Sequence, residues 1–151
     1  MCVGNISIFV ADYFNLFVSN VVAAEIRYPL DKLGLMAQTA VLFNTWVQQG
    51  KIILQDPIQP VDWFQRGENA AIALAIEQQY FLLMDDANPY HRAKAAGLSV
   101  IGSSEFAVFL YDKGRISYEK SVNAIRQTHA SKAQKRSAMI VLENLKRRKE
   151  R

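Results

Sequence analysis

The sequence predicts an α/β fold in which a short parallel β-sheet is flanked by helices and followed by a helical C-terminal extension. Residues 67–103 alternate helix, strand, helix and strand patterns, an order typical of parallel βαβ units with right-handed crossovers. The chain has 151 residues and is 50% apolar. That length and composition are sufficient for the core of one domain.

The first half of the chain carries two strand patterns and two helix patterns. Ser19 or Asn20 is the expected cap of the first helix, and Gly50 is expected to end the second. The PIQP segment at 57–60 predicts a loop, since its two prolines interrupt regular structure. The elements expected here are a strand at 16–20, a helix at 21–29, a helix at 30–50 and a strand at 51–56.

The second half begins with an Ala- and Ile-rich helix that opens at Gly67. Gly97 is expected to close a later helix, and Lys113–Gly114 to separate two more. The elements expected here are a helix at 67–79, a strand at 80–84, a helix at 88–97, a strand at 98–103, two helices within 105–127 and a basic amphipathic helix at 130–150.

Charge is divided unequally along the chain, whose formal net charge is +4. Residues 1–112 hold six Lys or Arg against eleven Asp or Glu, which gives −5, whereas residues 113–151 hold twelve against three, which gives +9. Such a basic segment can meet phosphates or an acidic partner. The alternative is a solvated surface helix, and the charge count leaves both interpretations open.

The single cysteine, Cys2, excludes an internal disulfide framework and fits a reducing compartment. No apolar run approaches the roughly 18 residues that a membrane span needs, and the N-terminus lacks the pattern of a secretory signal. These features predict a cytoplasmic protein without a membrane segment.

Carboxylates stand at the ends of several predicted elements. The strand YFLLM runs directly into Asp85 and Asp86; adjacent strand residues point to opposite faces, so only one can continue the inward row. Glu25 lies on the first predicted helix, and Glu68 lies in the first turn of the helix that opens at Gly67. Mg²⁺ and Mn²⁺ bind through a few such carboxylate oxygens. Alternatively, Glu25 is a solvated charge, Glu68 a favourable first-turn charge, and the Asp pair a helix cap.

The segment GENAAIALAIEQQYFLLMDDANPYHRAKAAGLSVIGSS, with FVSNVVAAEI at 17–26, resembles the PIN-domain family, in its toxin-like nucleic-acid-binding branch. The likeness spans most of residues 15–116. It implies a PIN-like three-layer α/β fold, with a PIN-like domain at 1–116 that is incomplete at its N-terminus and a basic helical extension at 117–151.

The resemblance also implies a site. Carried over by position, Glu25, Glu68, Asp85 and Asp86 match metal-binding acids, and Glu68, Asp85 and Asp86 are the implied catalytic residues. The implied cofactor is Mg²⁺ or Mn²⁺. His91 follows the Asp pair as a further candidate ligand, against the alternative of a surface histidine. Ser103–Ser104 are candidates for phosphate contact, with a loop cap as the equal alternative.

Two departures from the family pattern stand out. Tyr90 occupies the position of a usual arginine, with Arg92 nearby as a substitute. The family's first strand ends in an Asp ligand, but Asp12 lies only thirteen residues before Glu25, too few for a strand and a crossover helix. We therefore expect residues 1–14 to be the remainder of the first crossover helix, with the strand and its Asp missing upstream.

The resemblance implies a PIN-like metal-dependent ribonuclease that cleaves single-stranded RNA, the toxin component of a toxin–antitoxin pair. Its candidate partners are an antitoxin protein and a second copy in a homodimer, with no membrane partner. The alternative is a catalytically defective PIN-like module that binds RNA or a partner protein. A phosphoryl-accepting receiver domain also clusters aspartates at strand ends, but its later strand-end Lys is absent in register.

Overall fold

The structure, a computed structural model, describes residues 13–27 and 35–151, and only the backbone of residues 35–37. The described chain forms two compact units, one ending at Leu82 and the other beginning at Leu83. Within the described ranges no helix is long and apolar enough to cross a membrane. The interpretation of residues 1–14 as a crossover helix falls, apart from Tyr13 and Phe14, outside the described residues.

A pair of three-residue parallel strands organises the first unit. Leu16 lies opposite Ile52 and Val18 lies opposite Leu54 in the ladder. A parallel pair needs a crossover between its strands, and two helices supply it here. The elements of this unit are β1 (Leu16–Val18), α1 (Asn20–Arg27), α2 (Leu35–Gln48), β2 (Ile52–Leu54) and α3 (Arg66–Gln78).

The core of the first unit joins one residue from each of α1, α2 and β2. Ala23, Phe43 and Ile52 form this buried cluster. Arg27, in the last turn of α1, lies with its guanidinium 5.4 Å from the Phe43 ring centroid and donates a 2.7 Å hydrogen bond to Asn44. A planar guanidinium suits both contacts, so the end of α1 is fixed against α2.

The second unit contains four helices and a short strand pair, whose first strand begins at Leu82, the last residue of the first unit. Met84 donates its backbone N–H to the carbonyl of Ile101 over 3.1 Å, which extends the pairing of the two strands. Helices follow both strands, as the βαβ pattern predicts. The elements, in order, are β3 (Leu82–Leu83), α4 (Ala87–Ala95), β4 (Val100–Ile101), α5 (Ser103–Asp112), α6 (Tyr118–Gln127) and α7 (Lys132–Lys149).

Helices α5, α6 and α7 pack around one apolar cluster. Its members are small or branched side chains at helical spacing, so each helix presents one stripe to the others. Ser121 donates from its hydroxyl to the carbonyl of Ala107 over 2.9 Å, which satisfies a buried polar group inside the cluster. The buried members are Ala107, Val108, Ala124, Ile125, Ala138 and Leu142.

The predicted α/β fold with a helical C-terminal region is confirmed, although the strands are shorter than the sequence indicates. Residues 80–84 predict a five-residue strand, but β3 holds only Leu82 and Leu83. The reason lies at the end of α3, where Gln79 adopts a left-handed backbone (φ 56°) and Tyr80 donates back to the carbonyl of Ala75. The helix end therefore occupies a residue that the apolar pattern assigns to the strand.

The predicted domain boundary at residues 116–117 falls between α5 and α6. Both helices contribute to the same apolar cluster, and the boundary stays a prediction.

Replacing Leu142 tests the three-helix cluster. Leu142 is fully buried, so Leu142→Ala should lower the free energy of unfolding by about 2–5 kcal/mol through lost burial and a residual cavity. Ile140→Ala, on the exposed side of the same helix, should change it by no more than about 0.5 kcal/mol. Urea denaturation of the two variants measures both values. Equal losses would contradict the packing of α7.

Candidate functional site

The position of α1 depends on a double hydrogen bond to Asp56, two residues after β2. The Asn20 backbone N–H and side-chain amide donate to the two Asp56 carboxylate oxygens, each over 2.8 Å. These bonds, the side-chain bond first, hold the pKa of Asp56 below its usual value. Ser19 accepts from the Val22 N–H over 3.3 Å as the helix cap. The start of α1 is thus tied to the end of β2.

Glu25, on α1, lies against the N-terminal end of α3. Gly67 is buried in the first turn of α3, and a Cβ atom on it would lie 2.6 Å and 2.7 Å from the two Glu25 carboxylate oxygens. Real Cβ atoms do not approach oxygens so closely. The absence of a side chain at Gly67 therefore allows the Glu25 carboxylate to reach this helix end, where the helix dipole favours negative charge.

Glu68 is the next residue of α3 and brings a second carboxylate to the same helix end. Among the described residues, its Oε2 atom is buried and has no hydrogen-bond partner. A buried acceptor left unpaired costs about 1–3 kcal/mol, so an orphaned carboxylate oxygen calls for an explanation. A hard cation is one group that would satisfy it.

The loop before α3 is fixed by Asn69. Its side-chain oxygen accepts from the backbone N–H groups of Trp63, over 3.0 Å, and Phe64, over 2.7 Å, and its amide donates to the Phe64 carbonyl over 2.8 Å. The N-cap residue Gln65 supplies no side-chain cap. Asn69 therefore positions the first turn of α3, and with it Glu68.

Asp85, in the second unit, is held by the first residue of α5. Ser103 donates from its backbone N–H to Asp85 Oδ1 over 2.7 Å and from its hydroxyl to Oδ2 over 2.8 Å. Gln134 donates to the Asp85 carbonyl over 3.4 Å. Asp85 thus satisfies a free N–H at the start of α5, and its carboxylate has a fixed orientation.

Asp86 and His91 are exposed and take no part in that bonding. Asp86 is the N-cap residue of α4, with an extended backbone, yet its side chain makes no cap hydrogen bond. His91 packs edge-on against the Tyr90 ring, with the centroids 5.3 Å apart. Asp86 therefore occupies the N-cap position of α4, as one alternative predicts, but its carboxylate does not accept a hydrogen bond from the helix.

Ser103 and Ser104, the candidates for phosphate contact, are both buried and bonded within the second unit. Ser103 binds Asp85, and the Ser104 hydroxyl lies 2.8 Å from the Thr128 hydroxyl. These bonds hold both hydroxyls within the second unit without capping a helix N–H, since Gly102 is the N-cap residue; phosphate contact by these serines stays a prediction.

Glu105 is a carboxylate that the sequence argument missed. It accepts from the Gly102 N–H over 2.8 Å and from the Tyr90 hydroxyl over 3.1 Å and 3.2 Å. Lys94 donates to the same hydroxyl over 3.3 Å. The sequence signal that could have identified Glu105 is its position three residues after Gly102, the N-cap residue of α5, as in a capping box. Tyr90, at the family's arginine position, thus orients Glu105.

The predicted acids fall into two pairs. Glu25 and Glu68 lie in the first unit, where Gly67 brings Glu25 to the helix end that carries Glu68, whereas Asp85 and Asp86 lie in the second unit. Across residues 13–27 and 35–151, no three His, Cys, Asp or Glu side chains gather as a metal site. The four-acid set stays a prediction.

Short parallel strands joined by helices, with acids at helix and strand ends, define the class of a small α/β domain. A family model described as a PIN domain matches residues 2–146. The chain therefore belongs to the PIN-domain family and is a nuclease-like module. Comparison with curated proteins and with solved structures yields no match.

Substitution of the adjacent aspartates tests the role of Asp85 at the start of α5. Asp85→Ala leaves the Ser103 N–H and hydroxyl without their acceptor and should lower the free energy of unfolding by about 1–2 kcal/mol. Asp86→Ala removes an exposed carboxylate that caps no N–H and should cost no more than about 0.5 kcal/mol. Urea denaturation of both variants gives the comparison. A larger loss for Asp86 than for Asp85 would refute this role.

Proposed function

We propose that this protein is a metal-dependent ribonuclease that cleaves single-stranded RNA with Mg²⁺ or Mn²⁺, acting in the cytoplasm as the toxin component of a toxin–antitoxin pair. Family membership supports the nuclease class. The observation that carries metal dependence is the buried Oε2 of Glu68, which has no hydrogen-bond partner within residues 13–27 and 35–151, at the helix end that Glu25 also approaches.

The donor chemistry of this helix end fits the proposed ion. Mg²⁺ keeps several of its waters and is held in many enzymes by one or two carboxylates together with substrate phosphate, so two acids are a sufficient protein contribution. Glu25 and Glu68 would hold it, and the family resemblance adds Asp85 and Asp86 as predicted ligands. Such an ion supplies an activated water and neutralises charge that develops on a phosphodiester.

Three residues of the first unit position the two glutamates in this proposal. Gly67 leaves room for the Glu25 carboxylate, Asn69 fixes the first turn of α3, and Asp56 ties α1 to β2. A site that binds a small cation needs its ligands in a fixed geometry. These contacts fix the helix segments that carry Glu25 and Glu68, which supports the proposal.

Toxin activity and the antitoxin partner rest on the likeness of residues 67–104 to the toxin-like branch of the family. The second candidate function is a catalytically defective module that binds RNA or a partner protein. It is favoured by one observation from the sequence: Asp12 lies only thirteen residues before Glu25, too few for a strand that ends in the family's first Asp and the crossover helix after it.

Binding of Mn²⁺ should depend on Gly67 even though the fold does not. Gly67→Ala should leave the free energy of unfolding unchanged or raise it by up to about 1 kcal/mol, because Ala is the better helix former and the exposed Glu25 can move aside. Its new Cβ would displace the Glu25 carboxylate and lower Mn²⁺ affinity roughly tenfold. Isothermal titration calorimetry measures the affinity.

Gly102→Ala is the matched control for that experiment. A Cβ on Gly102 would meet its nearest neighbours at 3.6 Å, an ordinary contact, so Mn²⁺ affinity should stay within about twofold. Wild-type affinity in Gly67→Ala would show that the Glu25 carboxylate holds no cation.

Cleavage of single-stranded RNA should require Glu68 and not His91. With Mn²⁺ present, Glu68→Gln should lower kcat/KM by roughly 10- to 100-fold or more, whereas His91→Ala, an exposed substitution, should stay within about twofold. A fluorogenic RNA substrate measures the rates. If the wild-type protein binds RNA without cleaving it, the defective module is the correct function.

A further inference from the structure

Helix α7 presents a band of exposed side chains beside and opposite its buried residues. Ala138 and Leu142 face the three-helix cluster, whereas Ile140 is 57% exposed and Val141 is 50% exposed. Both are large aliphatic side chains on an otherwise polar helix face. The outer stripe of α7 is defined here as Arg136, Ile140, Val141, Arg147 and Arg148, all of which are exposed.

Three of the four lysines of α7 contact groups within the fold, and the fourth, Lys132, is exposed at the start of the helix. Lys149 donates to the carbonyls of Tyr111, over 3.0 Å, and Asp112, over 2.7 Å, at the end of α5. Lys135 donates to the carbonyl of Arg126, over 3.0 Å, near the end of α6. Cations suit these positions because helix C-termini carry partial negative charge. These lysine charges are therefore engaged within the fold.

Lys146 is also engaged, and so are the acids near it. Its ammonium lies 4.3 Å from the Tyr118 ring centroid and 3.9 Å from Glu150. Glu143 accepts from the Tyr118 hydroxyl, and this bond raises the pKa of Tyr118. The five residues of the outer stripe therefore include three arginines, and the two acids that flank it, Glu143 and Glu150, contact Tyr118 and Lys146.

We propose that the outer stripe is a docking surface for an acidic amphipathic helix of a partner protein. The charge pattern sets the chemistry of that helix: apolar side chains opposite Ile140 and Val141, with carboxylates towards Arg136 at one end and Arg147 at the other. From Arg136 to Arg148 the stripe is about 18 Å long at 1.5 Å per residue. Arginine binds carboxylates in a bidentate fork, and helix-in-groove recognition uses apolar anchors at helical spacing.

An RNA strand fits the outer stripe less well than a helix does. Single-stranded nucleic acid is bound by aromatic rings on which bases stack, along a continuous basic groove. The centre of the stripe holds two aliphatic side chains instead, which interrupt the positive row between Arg136 and Arg147. Phosphate contact would also leave the apolar surface of Ile140 and Val141 in water.

A second copy of this chain is a poor occupant as well. A two-fold interface uses the same patch on both molecules, so three arginines from each copy would enter it. The stripe offers no acid to pair with them, and like charges brought together in an interface are unfavourable. An acidic partner removes this difficulty. The proposal does not depend on ribonuclease activity.

Fluorescence anisotropy of a labelled synthetic peptide tests the proposal on the full chain. The probe is a helical peptide that spans Arg136 to Arg148, with leucines at its centre and glutamates in its first and last turns. Ile140→Asp and Arg147→Glu should each weaken binding roughly tenfold. Val141→Asp is a second apolar variant, and circular dichroism verifies that each variant is folded.

Two control variants make the same kinds of substitution at exposed residues outside the outer stripe. Ile58→Asp introduces the same charge at an aliphatic residue that is 87% exposed in the first unit, and Lys132→Glu reverses a charge at the start of α7. Both should bind the probe within about twofold of the wild type. A peptide with lysines in place of the glutamates should bind Arg147→Glu better than it binds the wild type.

The proposal fails if the acidic peptide does not saturate, or if Ile140→Asp binds it as well as the wild type does. It also fails if single-stranded RNA binds with dependence on Arg147 but not on Ile140, which would make the stripe a nucleic-acid contact. Self-association that Ile140→Asp abolishes, measured by sedimentation, would instead assign the stripe to a second copy.

Discussion

The close approach of the Glu25 carboxylate to Gly67 is the contact on which the proposed metal site depends. Helix α1 can bring its glutamate to the end of α3 only because residue 67 has no Cβ atom. The approach in turn requires α1 to start at a fixed point, which the Asn20–Asp56 hydrogen bonds provide. Within the first unit, the strand pair thus places Asp56, Asp56 positions the start of α1, and α1 places the Glu25 carboxylate.

The second unit uses its polar groups at helix ends in a similar way. Asp85 and Glu105 both accept backbone N–H groups at the start of α5, and Lys149 donates to carbonyls at the end of the same helix. Each charge has the sign that the helix dipole favours at its end. A carboxylate that a functional site could use is therefore also part of the local stability, as the paired bonds of Asp85 illustrate.

Most helices and strands could be predicted from sequence because they are local: apolar periodicity, Gly50, Gly97 and the Lys113–Gly114 break mark them directly. The contact between Glu25 and Gly67 could not be predicted from sequence, because these residues are far apart in the chain and no sequence pattern indicates that they are close in space. The length of β3 was predicted wrongly for another reason. Gln79 adopts a left-handed backbone at the end of α3, a conformation that usually requires glycine, so the sequence did not mark this helix end. Glu105 was overlooked because its capping partner is a glycine N–H.

The lysine contacts of α7 change the meaning of the charge count. Residues 113–151 carry a formal +9, yet Lys135, Lys146 and Lys149 deliver their charge to carbonyls and to a tyrosine ring of the same unit. A molecule approaching the outer stripe from solvent meets the guanidinium groups of Arg136, Arg147 and Arg148, whereas Lys132 is exposed at the start of the helix. The electrostatic character of this surface is thus that of arginine: directional and selective for planar anions, rather than the diffuse attraction that the total suggests.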